Sequence, residues 1–323
     1  MLRMGLMLLA EVSHKTQFAI AATFIFGLAA IGLPFAISRL RSGRPLVEPT
    51  QHRFVPWDGA IALIAMMIFA LIARFFTIAL VPIFYFATNP ELPPPSPDIS
   101  VEKLINDPAW LTALFQAQSF TNIAVITIVM ILLQFTTRPS WFDFGLDFQD
   151  FGRKLKLGLL AFTVIFPPVI LLNGLLNYFW RESEHPIIVC YRASRDETLF
   201  VWSAIAAVVV APLVEEFIFR GVLQGWLERL FAERRRRSII ETDDSLDGVQ
   251  PALEGPASML PIFFSSLMFA VVHPPGPDWI SIFFLALGLG YLYRQTHSLW
   301  PGIIVHTLLN AWSMAALYFL PDA

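Results

Sequence analysis

The sequence predicts an all-α fold, a polytopic transmembrane helical bundle of about eight spans. Hydrophobic residues make up 56% of the 323-residue chain, and the mean hydropathy is +0.63. Only 15% of the residues are charged, whereas soluble domains carry about 25%. Because a soluble core could not bury so much apolar surface, the bilayer must cover part of it. The chain is therefore expected to be an integral, multi-pass membrane protein.

Apolar runs of about 20 residues, long enough to cross the hydrocarbon core, recur along the chain. The last three runs are shorter and closely spaced, so we expect them to pack as one bundle. The predicted spans lie at roughly 16–38, 58–86, 115–135, 155–179, 198–230, 259–273, 279–293 and 300–320. The chain thus divides into N-terminal helices and loops over 1–150 and a C-terminal helical core over 151–323. Residues 1–15 lack a small-x-small cleavage site and are expected to form a short interfacial segment.

Basic residues concentrate in alternate linkers and predict the orientation. The positive-inside rule places these linkers in the cytoplasm and both chain ends outside, in what we expect to be the cell membrane. The loop at 87–108 is by contrast Pro-rich and acidic. A weakly ordered cytoplasmic loop is expected at 231–258, where a basic run passes into an acidic, turn-rich stretch. The basic linker residues are Arg39, Arg41, Arg44, Arg53, Arg138, Arg153, Lys154, Lys156, Arg229, Arg234 to Arg237 and Arg294.

Net charge and cysteine content exclude several kinds of protein. The net charge of −3 argues against a nucleic-acid partner and leaves the lipid bilayer as the expected environment. The single cysteine, Cys190, excludes an intrachain disulfide framework and a cysteine-rich zinc site.

The strongest chemical motif is APLVEEFIFRG, which places two acids within an apolar run. A charge at the bilayer centre costs roughly 2.5–3.5 kcal/mol, so Glu215 and Glu216 need partners or water. Arg220 lies four residues after Glu216 and can pair with it on one helical face. Glu215 points about 100° away and is left free for chemistry. Pro212 can loosen the helix one turn before. The alternative is that both glutamates simply mark the cytoplasmic end of the span.

Two later segments add histidines and an amide. In FAVVHPP, His273 ends an apolar helix at a double proline, with Phe269 one turn back on the same face. In LWPGIIVHTLLNAW, His306 and Asn310 are four residues apart and share a face. The alternatives are a helix-end or interface role for His273, and interhelical hydrogen bonds for the other two.

Together these residues supply the parts of a hydrolytic site. A carboxylate can act as general base toward water, and a histidine can share that role. A histidine and an amide can stabilise an oxyanion. The possible serine and cysteine nucleophiles have no such catalytic groups around them. Ser265 and Ser266 have no base nearby in sequence, and Cys190 lies in a predicted outer loop. The pattern therefore favours attack by activated water without an acyl-enzyme.

The three motifs resemble those of the CPBP family, the CAAX prenyl endopeptidases and their bacterial relatives, some described as bacteriocin-processing or immunity proteins. The family pattern is EExxxR, then FxxxH, then HxxxN, on successive membrane helices. The resemblance covers about residues 198–320, and residues 1–150 match only as generic spans. In this chain the motifs are Glu215-Glu216-x-x-x-Arg220, Phe269-x-x-x-His273 and His306-x-x-x-Asn310.

The resemblance implies a role for each motif residue. Glu215 would activate water with help from His273, and His306 and Asn310 would form the oxyanion pocket. The second glutamate and the arginine of the first motif would support that geometry. Members have been described both as metalloproteases and as glutamate proteases. Glu215, His273 and His306 could form a zinc set with one position open for water. The HExxH helix of soluble zinc peptidases is absent, and we expect water activation without a tightly bound metal.

The expected function is that of an intramembrane endopeptidase acting near the cytoplasmic face. Its substrate would be a peptide or a membrane-associated protein, and CAAX processing would require a prenylated cysteine. One alternative is a non-enzymatic immunity or scaffold protein that keeps the fold. Another is a proton-coupled transporter, although no inverted repeat is evident.

The depths of the two histidines set a condition on this site. His306 is expected about 10 Å in from the cytoplasmic side, yet His273 ends a helix of about 15 residues begun on that same side. His273 and His306 would reach the same depth only if the helix that ends at His273 starts deeper in the membrane, or if the PPGPD segment turns back into the bundle. Gly288 and Gly290 lie in the predicted span 279–293, before the span that carries His306. They are expected to be positions where neighbouring helices pack closely.

Overall fold

The computed structural model describes residues 14–51, 53–91, 103–104, 106–180, 186–242, 258–273, 276 and 278–319. Within these ranges every regular element is a helix and no strand occurs, which confirms the predicted all-α class. The helices are labelled here in chain order. They are α1 His14–Arg41, α2 Gly59–Thr88, α3 Pro108–Thr137, α4 Phe151–Phe179, α5 Pro186–Ser194, α6 from Glu197 to Thr242, α7 Leu260–Val271, α8 Asp278–Thr296 and α9 Trp300–Phe319.

Six of the helices in the described ranges are long and apolar enough to cross a bilayer, which confirms a polytopic bundle. These six are α1, α2, α3, α4, α6 and α9. The predicted spans at 259–273 and 279–293 correspond to α7, with 12 residues, and α8, with 19 residues, and neither is among these six. With 12 residues, α7 is about 18 Å long, well below the hydrocarbon thickness of about 30 Å. A helix of that length starting at the membrane surface ends within the hydrocarbon layer.

Helix α6 is the centre of the bundle and contacts α2, α3, α7, α8 and α9. The main apolar core surrounds it, and the fully buried indole of Trp57 donates to the main-chain oxygen of Val222 at 3.2 Å. Its segments Ile205–Val210 and Phe217–Gln224 are π-helical, and they flank the α-helical segment Ala211–Glu216. Wide π-helical turns often occur at functional sites, and here they lie on both sides of the two glutamates.

Helix α6 also extends further than the sequence suggested. It continues to Thr242, so residues 231–242 of the loop predicted at 231–258 are helical instead. Arg and Glu, which are strong helix formers, make up six of the twelve residues 231–242. Arg229 Nε lies 2.8 Å from Glu233 Oε1, one turn away. The predicted leading segment, most of the Pro-rich loop and residues 243–257 lie outside the described residues.

A buried ion pair joins the outer parts of α6, α7 and α8. Glu228 is 2% exposed, and its Oε1 accepts hydrogen bonds from Gln224 Nε2 at 3.0 Å and from Arg294 Nε at 3.1 Å. Arg294 also donates from an Nη atom to the sulfur of Met259, which immediately precedes α7. The start of α7 and the end of α8 therefore lie at the level of Glu228 along α6.

Helix α9 begins deeper in the bundle than α7. The main-chain nitrogen of Leu299 donates to the oxygen of Gly145, in the linker between α3 and α4, at 2.8 Å. Leu299 also packs beside Gly221, where an added Cβ would lie 3.7 Å from its side chain. Gly221 precedes Glu228 by two turns of α6, about 10 Å. The start of α9 is therefore displaced inward by about that distance.

Glycines allow the closest helix contacts. A Cβ at Gly288 would lie 2.9 Å from the Ile165 side chain, and one at Gly290 would lie 2.8 Å from Gln224 Oε1. Both positions are therefore close-packing positions, as predicted. Where α1 crosses α4, a Cβ at Gly32 would overlap the main chain of Thr163.

We expect Gly32→Ala to lower the free energy of unfolding by about 1–3 kcal/mol, because α1 and α4 would have to separate. Thermal unfolding of the detergent-solubilised protein measures this. Gly27→Ala is the matched control, since a Cβ there meets no atom within 4 Å. Equal stability of the two variants would contradict the close crossing.

Candidate active site

The two adjacent glutamates end the short α-helical segment of α6 and lie in different surroundings. Glu216 is 1% exposed, whereas the side chain of Glu215 is 22% exposed. Successive side chains on a helix diverge by about 100°. One carboxylate is therefore enclosed by the bundle and the other is accessible from one side.

Glu216 forms the predicted ion pair with Arg220. Arg220 Nε lies 3.3 Å from Glu216 Oε2, and both side chains are buried. The guanidinium carbon lies 4.3 Å from the centre of the Phe269 ring, and an Nη atom donates to the Ala286 oxygen at 3.4 Å. A buried charge that loses its partner destabilises a fold by about 3–5 kcal/mol. This pair therefore holds α6, α7 and α8 in a fixed arrangement around the glutamates.

His306 lies between the two carboxylates. Its Nδ1 lies 3.2 Å from Glu216 Oε1, and its Nε2 lies 3.9 Å from Glu215 Oε2. Because a carboxylate only accepts hydrogen bonds, Nδ1 carries the proton in the bond to Glu216. Gly302 makes this approach possible, since a Cβ there would lie 2.9 Å from Glu216 Oε2. Gly302 was not predicted from the sequence, although its spacing of four residues places it on the same face as His306.

His273 follows the end of α7 and faces the same carboxylate. Its Nδ1 hydrogen-bonds to the Phe269 oxygen at 2.7 Å. A carbonyl only accepts, so Nδ1 is the donor. The other ring nitrogen, Nε2, lies 4.0 Å from Glu215 Oε2. The structure thus brings Glu215, His273 and His306 together.

The difference in depth expected for the two histidines is resolved by the position of α9. The prediction assumed that the helices carrying His273 and His306 begin at the same level. The linker residue Gly145 holds the start of α9 about 10 Å deeper than the start of α7. Six residues of α9 therefore reach the same depth as the 12 residues of α7. Pro274 and Pro275 lie outside the described residues.

Asn310 contacts the main chain of α6. Its Nδ2 donates to the oxygen of Ala207 at 2.7 Å. Ala207 lies in a π-helical segment, where Ala211 N bonds to Ala206 O, five residues back. In that register Ala207 would pair with Pro212, which has no N–H. Asn310 therefore supplies the donor that the proline lacks. The interhelical hydrogen bond considered from the sequence is present, and an oxyanion role stays a prediction.

The distances around Glu215 suit a bridging water better than a tetrahedral zinc ion. In a tetrahedral zinc site with ligands at about 2.0–2.1 Å, neighbouring donor atoms lie about 3.4 Å from each other. Glu215 Oε2 lies farther than that from the Nε2 atoms of His273 and His306, at 4.0 and 3.9 Å. A water at about 2.8 Å from both atoms of either pair would make an angle of about 90°. In the part of the chain that the structure describes, no group of three potential ligands has a metal-binding arrangement.

The possible serine and cysteine nucleophiles have no base as a hydrogen-bond partner. Ser265 Oγ donates to the Phe219 oxygen at 2.8 Å, and Ser266 Oγ has no hydrogen-bond partner among the described residues. Cys190 Sγ contacts the Asn106 oxygen at 3.5 Å. Burial raises the pKa of the Cys190 thiol, which disfavours the thiolate.

Residues 197–312 match a family model described as Type II CAAX prenyl endopeptidase Rce1-like. The match contains all three motifs and confirms the resemblance inferred from them. Residues 1–196 lie outside it. No curated protein and no solved structure matches the chain.

We expect Asn310→Ala to lower the free energy of unfolding by about 1–3 kcal/mol, because the Ala207 oxygen would lose its donor inside the bundle. Thermal unfolding in detergent measures this. Asn310→Gln, which keeps an amide donor, should recover part of the loss. An alanine variant as stable as the wild type would show that the hydrogen bond to α6 is dispensable.

Proposed function

We propose, from the membership of residues 197–312 in the Rce1-like family of type II CAAX prenyl endopeptidases, that the chain is an intramembrane endopeptidase. It would hydrolyse a peptide bond of a membrane-associated protein or peptide. The active site would open toward the cytoplasmic face, because α7, which ends just before His273, and α9, which carries His306, both start from the side of the bundle that carries the basic linkers.

One observation carries the mechanism: both histidine Nε2 atoms face the same oxygen of Glu215. They lie 3.9 and 4.0 Å from Oε2. This oxygen is buried and has no hydrogen-bond partner among the described residues. A buried carboxylate oxygen without a donor is unfavourable. A water between Glu215 and a histidine would satisfy it and would stand where a nucleophile is needed.

In the proposed reaction Glu215 acts as general base. It takes a proton from the water as the water oxygen attacks the scissile carbonyl carbon, and His273 assists from the same side. The tetrahedral intermediate collapses when the C–N bond breaks, and the proton held by Glu215 passes to the leaving nitrogen. No acyl-enzyme forms.

The oxyanion would be stabilised by His306 and Asn310. With a proton on Nε2, His306 donates to the oxyanion while Glu216 holds the ring through Nδ1. Asn310 has two amide hydrogens, and its bond to Ala207 uses one of them. The second hydrogen could donate to the oxyanion, so a structural role and a role in catalysis are compatible.

We expect Glu215→Gln to reduce peptide cleavage at least 100-fold, since an amide cannot accept the proton of the water. The assay uses purified protein and two fluorogenic peptides of one sequence, one with a farnesylated cysteine and one without. Glu233→Gln, on the outer part of α6, is the control and should keep full activity. Cleavage by the Glu215→Gln variant at the wild-type rate would show that Glu215 is not the general base. Binding of both peptides by the wild type without cleavage would favour a scaffold protein.

We also expect cleavage to continue in the presence of a chelator, with less than one metal ion per chain in the purified protein. The physical reason is the wide separation of Glu215 from both histidines. Metal analysis and the same cleavage assay, with and without chelator, measure this. Loss of cleavage on chelation, restored by added zinc, would instead favour the set of Glu215, His273 and His306 as metal ligands.

A further inference from the structure

A cavity lies away from the glutamates, at the bundle end that carries the basic linkers. Its volume is about 580 Å³. It lies between the end of α1, the start of α4, the segment 46–53 and the turn between α8 and α9. It has an apolar part, formed by side chains such as Phe35, Leu157 and Leu160, and a charged rim.

The rim of the cavity carries a net positive charge. Acidic side chains number three, Glu48, Asp147 and Asp150, against five basic ones. The basic lining residues are Arg39, Arg53, Arg153, Lys154 and Lys156. The cavity therefore attracts an anion.

Two of the cations are free for a ligand. Arg39 pairs with Glu48 at 2.6 Å, and Lys154 pairs with Asp147 at 2.7 Å. Arg153 and Lys156 lie one turn apart on α4, are exposed, and form no ion pair with any residue in the described ranges. They present two donors to the same cavity near the start of a helix, where main-chain N–H groups also favour an anion.

The outer surface beside the cavity is apolar. On α1, Ile37 and Leu40 are 46% and 65% exposed, and on α4, Leu155 and Leu159 are 38% and 47% exposed. Both helices are candidate membrane spans, so these side chains face lipid. The cavity itself also has apolar lining on the same two helices, from Phe35 on α1 and from Leu157 and Leu160 on α4. An anionic group held by the rim would thus have apolar surface next to it in the cavity, on helices whose outer sides suit acyl chains.

We propose that this cavity binds the headgroup of an anionic phospholipid, with the phosphate near Arg153 and Lys156 and the acyl chains along α1 and α4. Basic cavities between membrane helices bind acidic headgroups by this combination of charge and adjacent apolar surface. A free phosphate would use the same cations but would gain nothing from the apolar surface, so the lipid is the favoured ligand.

Native mass spectrometry of the full chain in detergent tests the proposal with phosphatidylglycerol and phosphatidylcholine. We expect the wild type to prefer phosphatidylglycerol. The double variant Arg153→Gln/Lys156→Gln should bind it about 30-fold more weakly. Arg41→Gln/Arg44→Gln is the matched control, because it removes the same charge at the same end of the bundle from residues that do not line the cavity.

Three results would overturn the proposal. The two lipids could bind equally, the two double variants could lose affinity equally, or inorganic phosphate could bind as tightly as phosphatidylglycerol and displace it. Peptide cleavage plays no part in the readout, so failure here and failure of the peptidase proposal are distinguishable.

Discussion

Arg220 is fully buried, and its ionic partner is Glu216, whose Oε2 lies 3.3 Å from the Arg220 Nε atom. Separating them would leave a buried charge and cost about 3–5 kcal/mol. This requirement fixes one Glu216 oxygen beside Arg220 and leaves the other for His306 Nδ1. The ring orientation of His306 follows, and with it the direction of Nε2 toward Glu215. The position of the histidine thus depends on an ion pair that is enclosed by the bundle.

The same demand for satisfied polar groups shapes the backbone of α6. Pro212 cannot donate to Ala207 in the π-helical register, so Asn310 donates in its place. Helix α9 can supply both Asn310 and His306 because it begins deep in the bundle, where the linker oxygen of Gly145 holds Leu299. The histidine and the amide, one turn apart, therefore connect Glu215 and Glu216 to the turn of α6 that precedes them.

Much of the site could be predicted because spacing within a helix is fixed by the 3.6-residue turn. The pairing of Glu216 with Arg220 and the shared face of His306 and Asn310 follow from a separation of four residues. The depth of α9 could not be predicted, since it depends on a contact between distant parts of the chain. The main-chain partner of Asn310 depends on a π-helical register that apolar periodicity does not reveal. The continuation of α6 to Thr242 was predictable from helix propensity but was obscured by the high charge of that stretch.

In the proposed mechanism the two glutamates cannot exchange roles, although they are neighbours with the same side chain. Glu216 already contacts Arg220 and His306 and is 1% exposed, so its use as a base would require breaking a buried ion pair. Glu215 is turned by about 100°, its side chain is 22% exposed, and its Oε2 has no hydrogen-bond partner among the described residues. Of these two carboxylates, Glu215 is the one that could accept a hydrogen bond from a water without loss of a buried ion pair. In the proposed mechanism, adjacent acids on one helix differ in function because rotation about the helix axis pairs Glu216 with a cation and leaves an oxygen of Glu215 without a hydrogen-bond partner among the described residues.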